Sequence, residues 1–343
     1  MDSEVAAVRE RYARFARDEA PGRSALYAEW AAGVARDRDI AALLARLDPP
    51  HRQPPLVFAV TRLLGAEEGD YDRWAAFVRS HADLVVAECA ARSVQTNEPG
   101  RCAPLVYALQ RVRGPIALLE VGASAGLCLY PDRYAYRFRG DDGSVRELGA
   151  GAPVVLECAL RGNTPVPTIL PEVVWRAGVD PAPRHPTRPD DRAWIRGLVW
   201  PGESGRAARI DAALDVAAAD PPLLVAADAS APRVLEALAA QAPPEATLVV
   251  TTPGVLPHVP RAARERLIAI IRSLDARWIT LDAPALHDAW TRPPEPVGWD
   301  GFALALDGDI IAAADPLGAW IAARTAQDSG ARGVPPGGAR SSS

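Results

Sequence analysis

Eleven residues, 116–126, limit what this chain can fold into more than any other stretch: Ile-Ala-Leu-Leu-Glu-Val-Gly-Ala-Ser-Ala-Gly. The run from Ile116 to Val121 carries a single acid, Glu120, and is bounded by Gly114 and Gly122. A short continuous apolar run closed by glycines predicts a strand buried on both faces of a sheet, because neither face has to meet water. Small residues after such a strand let a ligand approach the backbone, and the N–H groups of a following helix then face that ligand. In parallel sheets, turns of this kind sit at the carboxyl edge, where ligands bind. The glycines stand four apart, so GxGxxG is not satisfied, and Ser124 occupies the place of its second glycine. Tight strand–helix packing is the competing role for the pair.

The remaining sequence is read around that strand. Further apolar runs follow at 172–179, 222–227, 246–251, 277–281, 301–306 and 309–313. Helical patterns at 190–198, 207–219, 232–241 and 260–274 separate most of them. This alternation predicts an α/β fold with a parallel, doubly wound sheet. Asp307-Gly308 is a hairpin turn signal, so an antiparallel hairpin is expected to finish the sheet. Runs at 136–138 and 153–160 break the alternation and are read as an inserted hairpin near 136–170, followed by a Pro-rich loop at 162–171.

The first hundred residues predict helices. Val5, Val8, Tyr12 and Phe15 share a face, and Leu26, Trp30 and Val34 continue the pattern. A second block starts at Pro54-Pro55 and closes at Gly65; a third starts near Tyr71 and sets Trp74, Phe77, Leu84 and Val85 on one side. The expected organisation is a helical module over 1–110, an α/β domain over 111–325 and a disordered tail over 326–343.

Composition narrows the function classes. No apolar run approaches the ~18 residues of a membrane span. The start, MDSEVAAVRERYARF, is too charged for a signal peptide. A cytoplasmic protein with no membrane partner is expected. All 38 basic residues are Arg, which reads as a coding bias, and the net charge is −5. That balance lacks the positive excess of duplex nucleic-acid binders. Cys89, Cys102, Cys128 and Cys158 form no CxxC pair, and the five His form no ligand pattern, so no metal site is expected.

The segment from Leu118 to Gly126 resembles the first motif of class I S-adenosylmethionine-dependent methyltransferases: an apolar strand, an acid two residues before the first glycine, then a small-residue loop. Three segments are more closely similar to an uncharacterised bacterial family with that fold. They are Gln95-Thr96-Asn97-Glu98 with Gly100-Arg101-Cys102, Glu120 to Leu127 with Asp132-Arg133-Tyr134-Ala135-Tyr136, and Trp175-Arg176-Ala177-Gly178-Val179-Asp180. The resemblance implies a Rossmann-like sheet, mostly parallel with an antiparallel C-terminal hairpin, under a helical N-terminal lid. It implies S-adenosylmethionine as cofactor and a small molecule as methyl acceptor.

It also implies roles. Glu120, Gly122, Ser124 and Gly126 would hold the methionine and ribose part of the cofactor. Asp180 would take the ribose hydroxyls, since a carboxylate accepts two hydrogen bonds, and Asp228, with Ala229 beside it, the adenine. Turn or helix-cap duty competes for both acids. The distance from Gly126 to Asp180, 54 residues, exceeds the ~20 of a simple strand–helix–strand unit, and the inserted hairpin is expected to account for it. Asn97 and Arg101 belong to a polar cluster before the first strand, placed to close over cofactor or substrate or to form a cap. Methyl transfer needs in-line positioning, and a base only for a protonated acceptor. His258 and Asp282, after the fourth and fifth strands, are the candidate bases, with surface or capping roles as the alternative. Tyr130, Tyr134 and Trp175 line a pocket or fill core. A second function stays open: a non-catalytic nucleoside-binding or scaffold protein on the same fold, favoured by departures from the family pattern at Cys128, Thr251 and Leu281-Asp282. A nicotinamide-dependent oxidoreductase is weaker, because the glycine spacing is wrong.

Overall fold

The computed structural model describes residues 2–293 and 299–324; the expected tail lies outside them. Helices come first: α1 (Asp2–Arg14), α2 (Ala25–Arg36), α3 (Arg38–Leu44), α4 (Pro54–Leu63), α5 (Tyr71–Ser80), α6 (Ala82–Ala90) and α7 (Cys102–Leu109). Their starts are set by local chemistry. Ser24 Oγ accepts from Tyr27 N at 3.2 Å, and Asp37 and Asp70 cap α3 and α5 in the same manner. Pro54-Pro55 opens α4, where missing N–H groups cost nothing. The third helical block breaks at His81 into α5 and α6, which turns Leu84 out to solvent and leaves Val85 buried.

An aromatic cluster joins these helices. Trp30 and Trp74 stack with centroids 5.4 Å apart, and Phe58 meets both edge-on. Both indoles are satisfied, Trp30 Nε1 by Gly69 O at 2.8 Å and Trp74 Nε1 by Thr61 Oγ1 at 2.9 Å. Gly33 is required here, because a Cβ would stand 2.1 Å from the Tyr71 ring.

The rest of the chain builds one sheet. Its elements are β1 (Ile116–Val121), β2 (Ala135–Gly140), β3 (Val145–Leu148), β4 (Val155–Arg161), β5 (Val173–Asp180), α8 (Pro189–Gly197), α9 (Arg206–Ala219), β6 (Leu223–Ala226), α10 (Val234–Ala239), β7 (Thr247–Pro253), α11 (Arg261–Ser273), β8 (Arg277–Asp282), β9 (Phe302–Leu306), β10 (Asp309–Ala314) and β11 (Trp320–Ala323). The strand order is β3-β2-β4-β11-β10-β9-β8-β7-β1-β5-β6. This is an α/β fold with a mixed, mostly parallel sheet: β6, β5, β1, β7 and β8 run parallel to one another, whereas β9 pairs antiparallel with both β8 and β10.

Two expectations are corrected. The hairpin at Asp307-Gly308 does not finish the sheet: β11 continues beyond it, and β4, β2 and β3 follow. The runs near 136 and 153 do not pair as a hairpin either. β2 pairs antiparallel with the unforeseen β3, and β2 and β4 lie parallel. The insertion thus lengthens the sheet at its far end, and β1 and β5 remain neighbours despite the chain between them.

Each strand separates two layers. Ile116 and Leu118 pack with α7 and α9, whereas Ala117, Leu119 and Val121 pack with α10 and α11. Chain growth runs β1 to β5 to β6 on one side, then returns to β7 and β8 on the other. Connections leaving β1 and β7 therefore diverge, and a crevice opens at their carboxyl ends. Among the described residues no helix is long and apolar enough to cross a membrane.

Candidate functional site

The loop after β1 is held in an unusual backbone state. Gly122, Ser124 and Gly126 all have positive φ, at 74°, 48° and 70°. Ser124 has no glycine freedom, and a side chain in the left-handed region costs about 1–2 kcal/mol. Side chains from elsewhere hold the loop. Ser124 N donates to Asp180 Oδ2 at 2.9 Å, and Ala125 N donates to Asn97 Oδ1 at 3.1 Å. Gly122 N and Ala123 N donate to Val179 O, and Gly126 N to Ala123 O.

This corrects the expectation of free N–H groups. No helix follows the loop; the chain makes only a 3-10 turn over Leu127–Leu129. The loop amides are all engaged within the protein, so a ligand meets side chains and the backbone surface there, not a helix N-terminus.

A cavity of about 640 Å³ lies at the carboxyl ends of β1, β5, β6 and β7. Gly122, Ser124, Asp180, Asp228, Ala229, Arg101 and His258, all expected from sequence, lie on its wall. The acids are 48 residues apart in the chain, and the parallel register brings them to one edge: Asp180 aligns with Ala226, two residues before Asp228. Asp180 is buried, and its Oδ1 also accepts from Ala182 N at 2.8 Å. Asp228 is exposed; its Oδ1 accepts from Ser230 N at 2.8 Å, the turn role that competed for it. Val255 roofs Gly122, where a Cβ would meet Val255 Cγ2 at 2.5 Å.

Four expected residues are not on that wall. Gly126 packs against Leu129 and Pro222. Asn97 holds the loop from behind and lines a neighbouring cavity. Glu120 shares the face of Leu118, so the strand's alternation turns it into the layer below, where it is 3 % exposed. Burial pushes its carboxyl well above the usual range, nearby Cys128 adds to this, and the Arg101 guanidinium opposes it. Asp282 is wholly buried at the end of β8, beneath the turn over Leu256–His258. Burial pushes its carboxyl up, Arg101 pulls it down, and neither oxygen makes a hydrogen bond of good geometry despite the Leu256 and Gly254 amides beside it. It is not placed to serve as a base towards a ligand in the cavity.

His258 is different. It reaches the cavity wall from an exposed position, and partial desolvation followed by the Arg101 charge holds its imidazole below the ordinary 6.5. A neutral ring at pH 7 is free to accept a proton. Tyr130, Tyr134 and Tyr136 are core residues whose hydroxyls donate to backbone carbonyls. Among the described residues no group of three or more His, Cys, Asp or Glu is placed to hold a metal ion.

Sequence reading missed a pattern of orphaned polar atoms. Ser124 Oγ, Ser230 Oγ, Asn97 Nδ2, Glu120 Oε2 and Thr251 Oγ1 are buried without partners, all near the carboxyl ends of the parallel strands. Buried polar groups normally find partners; of these five, Ser124 and Ser230 line the cavity of about 640 Å³ and Asn97 the neighbouring one, whereas Glu120 and Thr251 line neither. Nothing in the one-dimensional pattern distinguishes these serines and threonines from others.

Family comparison bears on the whole of this architecture. The model of a family described as "Uncharacterized protein conserved in bacteria (DUF2332)" matches residues 9–322, and the chain belongs to that family. No curated protein and no solved structure matches the chain.

Proposed function

We propose that this family member binds S-adenosylmethionine in the crevice at the carboxyl ends of β1, β5, β6 and β7 and methylates a small molecule. One observation carries the reading: two carboxylates, Asp180 and Asp228, line the same edge of one cavity as the glycine-bearing bend at Gly122. The strand order β6-β5-β1-β7-β8 supports it, because it is that of a doubly wound half-sheet with its switch point between β1 and β7. A volume of about 640 Å³ falls within the range of small-molecule sites.

The residues present fit a nucleoside. Asp180 Oδ2 accepts one hydrogen bond from the protein and keeps capacity for a ribose hydroxyl. Asp228 Oδ2 makes no hydrogen bond among the described residues and suits an exocyclic amine. Ser124 Oγ, orphaned on the wall, serves either as donor or acceptor. When bound, the cofactor supplies an electrophilic methyl group on a positive sulfur. The protein's part is to position the acceptor in line and exclude water, with neutral His258 taking a proton where the acceptor carries one.

Calorimetric titration with S-adenosylmethionine and S-adenosylhomocysteine tests this. Submillimolar binding of both is expected, weakened about tenfold by Asp228→Asn, as befits one lost charged hydrogen bond. No binding of either removes the cofactor. The second reading, nucleoside binding without turnover, draws on the sealed position of Asp282, which leaves His258 as the one sequence-predicted base on the wall. Binding with no methyl transfer to any acceptor in a cell extract would favour it.

A further inference from the structure

A second cavity, of about 420 Å³, adjoins the first along residues 94–96 and Arg101. Its apolar wall comes from α8, α9 and the turn between them: Ile195, Leu198, Val199, Trp200 and Ile210. The charges on its polar side differ in how far they are already matched. Arg206 pairs with Glu98 at 2.7 Å and Glu203 at 2.6 Å, and Arg23 pairs with Glu203 at 2.7 Å. Asp315 accepts from the backbone of Leu317 and Ala319.

Arg101 is not matched. It is 9 % exposed, and no carboxylate pairs with it among the described residues. Its Nε and Nη1 donate to the carbonyls of Pro316 at 2.9 Å and Pro253 at 2.8 Å, which fixes the guanidinium without neutralising it. Nη2 lies over Gly254 of the first cavity, and the Arg101 side chain lines both cavities. Of the titratable groups that feel its charge among the described residues, Glu120, Asp282 and His258 are held away from their charged forms. The Cys128 thiol, by contrast, is drawn down by its hydrogen bond with Cys102, with Arg101 adding to this; no carboxylate is among the groups so favoured. Asn97, 6 % exposed, lines only the second cavity; its Oδ1 holds Ala125 N, and Nδ2 has no partner.

Two residues with unanswered donors line the second cavity, and because one of them carries a positive charge they call for a group that only accepts and bears one negative charge. A carboxylate meets both conditions. A dianionic phosphate would need a second uncompensated cation, and Arg23 and Arg206 are already paired. The aliphatic and indole wall calls for an apolar body behind the carboxylate.

We propose that the second cavity binds a small monocarboxylic acid with an apolar body, its carboxylate held at Arg101 and Asn97, and that this acid is the methyl acceptor. A carboxylate oxygen forms the bond to the methyl carbon as the sulfur–methyl bond breaks, giving a methyl ester and S-adenosylhomocysteine, with no proton to remove. The acid's role as acceptor rests on the cofactor reading above; the binding site does not. The test is calorimetric titration of the full chain with straight-chain acids from butyrate to decanoate and with phenylbutyrate, each beside its primary amide. The acids are expected to bind about tenfold or more tightly than the amides. Val199→Phe, which fills the second cavity alone, is expected to lower acid affinity about tenfold or more, with S-adenosylhomocysteine binding unchanged. Asn97→Asp keeps the acceptor for Ala125 N and replaces the orphan donor with an oxygen, so it is expected to lose the acid too. Failure of every acid to bind at millimolar concentration, or equal binding of acid and amide, overturns the site, as does full acid affinity in both variants. Acid binding without S-adenosylhomocysteine binding would instead leave this site standing and remove the cofactor.

Discussion

Asp282 is buried with neither oxygen partnered and Glu120 with Oε2 unpartnered, and the ionisation of both works against folding. Folding raises both pKa values, so their contribution to stability is intact below the ordinary carboxylate range and is lost as pH rises towards the folded value. Asp282→Asn removes the charge while keeping the shape. The melting temperature of this variant is expected to gain on the parent as pH rises from 4 to 7.5, by an amount equivalent to about 1–3 kcal/mol, measured by scanning calorimetry. An equal difference at both pH values would show that Asp282 is ionised and satisfied in the folded chain. Residue identity alone marks Glu120 and Asp282 as chemistry-bearing. Orientation does not follow from identity: Glu120 is the even member of an alternating strand whose even residues face α7, and Asp282 is covered by a turn from a different part of the chain.

At the scale of elements, the bend after β1 depends on side chains supplied by distant segments. Asp180→Ala would leave the amides of Ser124 and Ala182 without their acceptor. Unanswered buried amides cost about 1–3 kcal/mol each, so a loss of roughly 2–5 kcal/mol in chemical denaturation is expected, together with loss of nucleoside binding. A loss below about 1 kcal/mol would mean that the loop keeps its shape unaided. The strand Ile116–Val121, the alternation behind it, the acid ending β5 and the acid just after β6 were all legible, because apolar runs and glycines act locally. The turn over Leu127–Leu129 was not, since its form is decided by Asn97 and Asp180. The pairing of β2 with β4 was hidden for the same kind of reason: both strands are short and amphipathic, and their neighbours are chosen by a β11 that closes from the C-terminal end.

At the scale of the molecule, the helical module and the sheet share side chains. Trp194, on α8 between two sheet strands, is buried in the aromatic core of the N-terminal helices. Arg62 of α4 donates to the carbonyls of Gly197 and Val199 at 3.1 and 3.0 Å. Conversely α7, which precedes the sheet, packs into the sheet's core and not into that of the other N-terminal helices. The two halves are therefore expected to unfold in one calorimetric transition, and Phe58→Ala, costing about 3–5 kcal/mol, is expected to lower that single transition without splitting it. Two resolved transitions would show that the contacts across the junction carry little energy. Helical periodicity revealed the module but not this exchange of elements, because amphipathic faces state that a partner exists and not which one. The crevice between the layers is where the functional account is decided. Its most direct test is a crystal structure of the chain grown with saturating S-adenosylhomocysteine. The account predicts the adenosyl group in the cavity along Gly122 and Ser124, with the ribose hydroxyls at Asp180 and the adenine at Asp228. A cavity empty at saturation, or a nucleoside seated away from both acids, would contradict it.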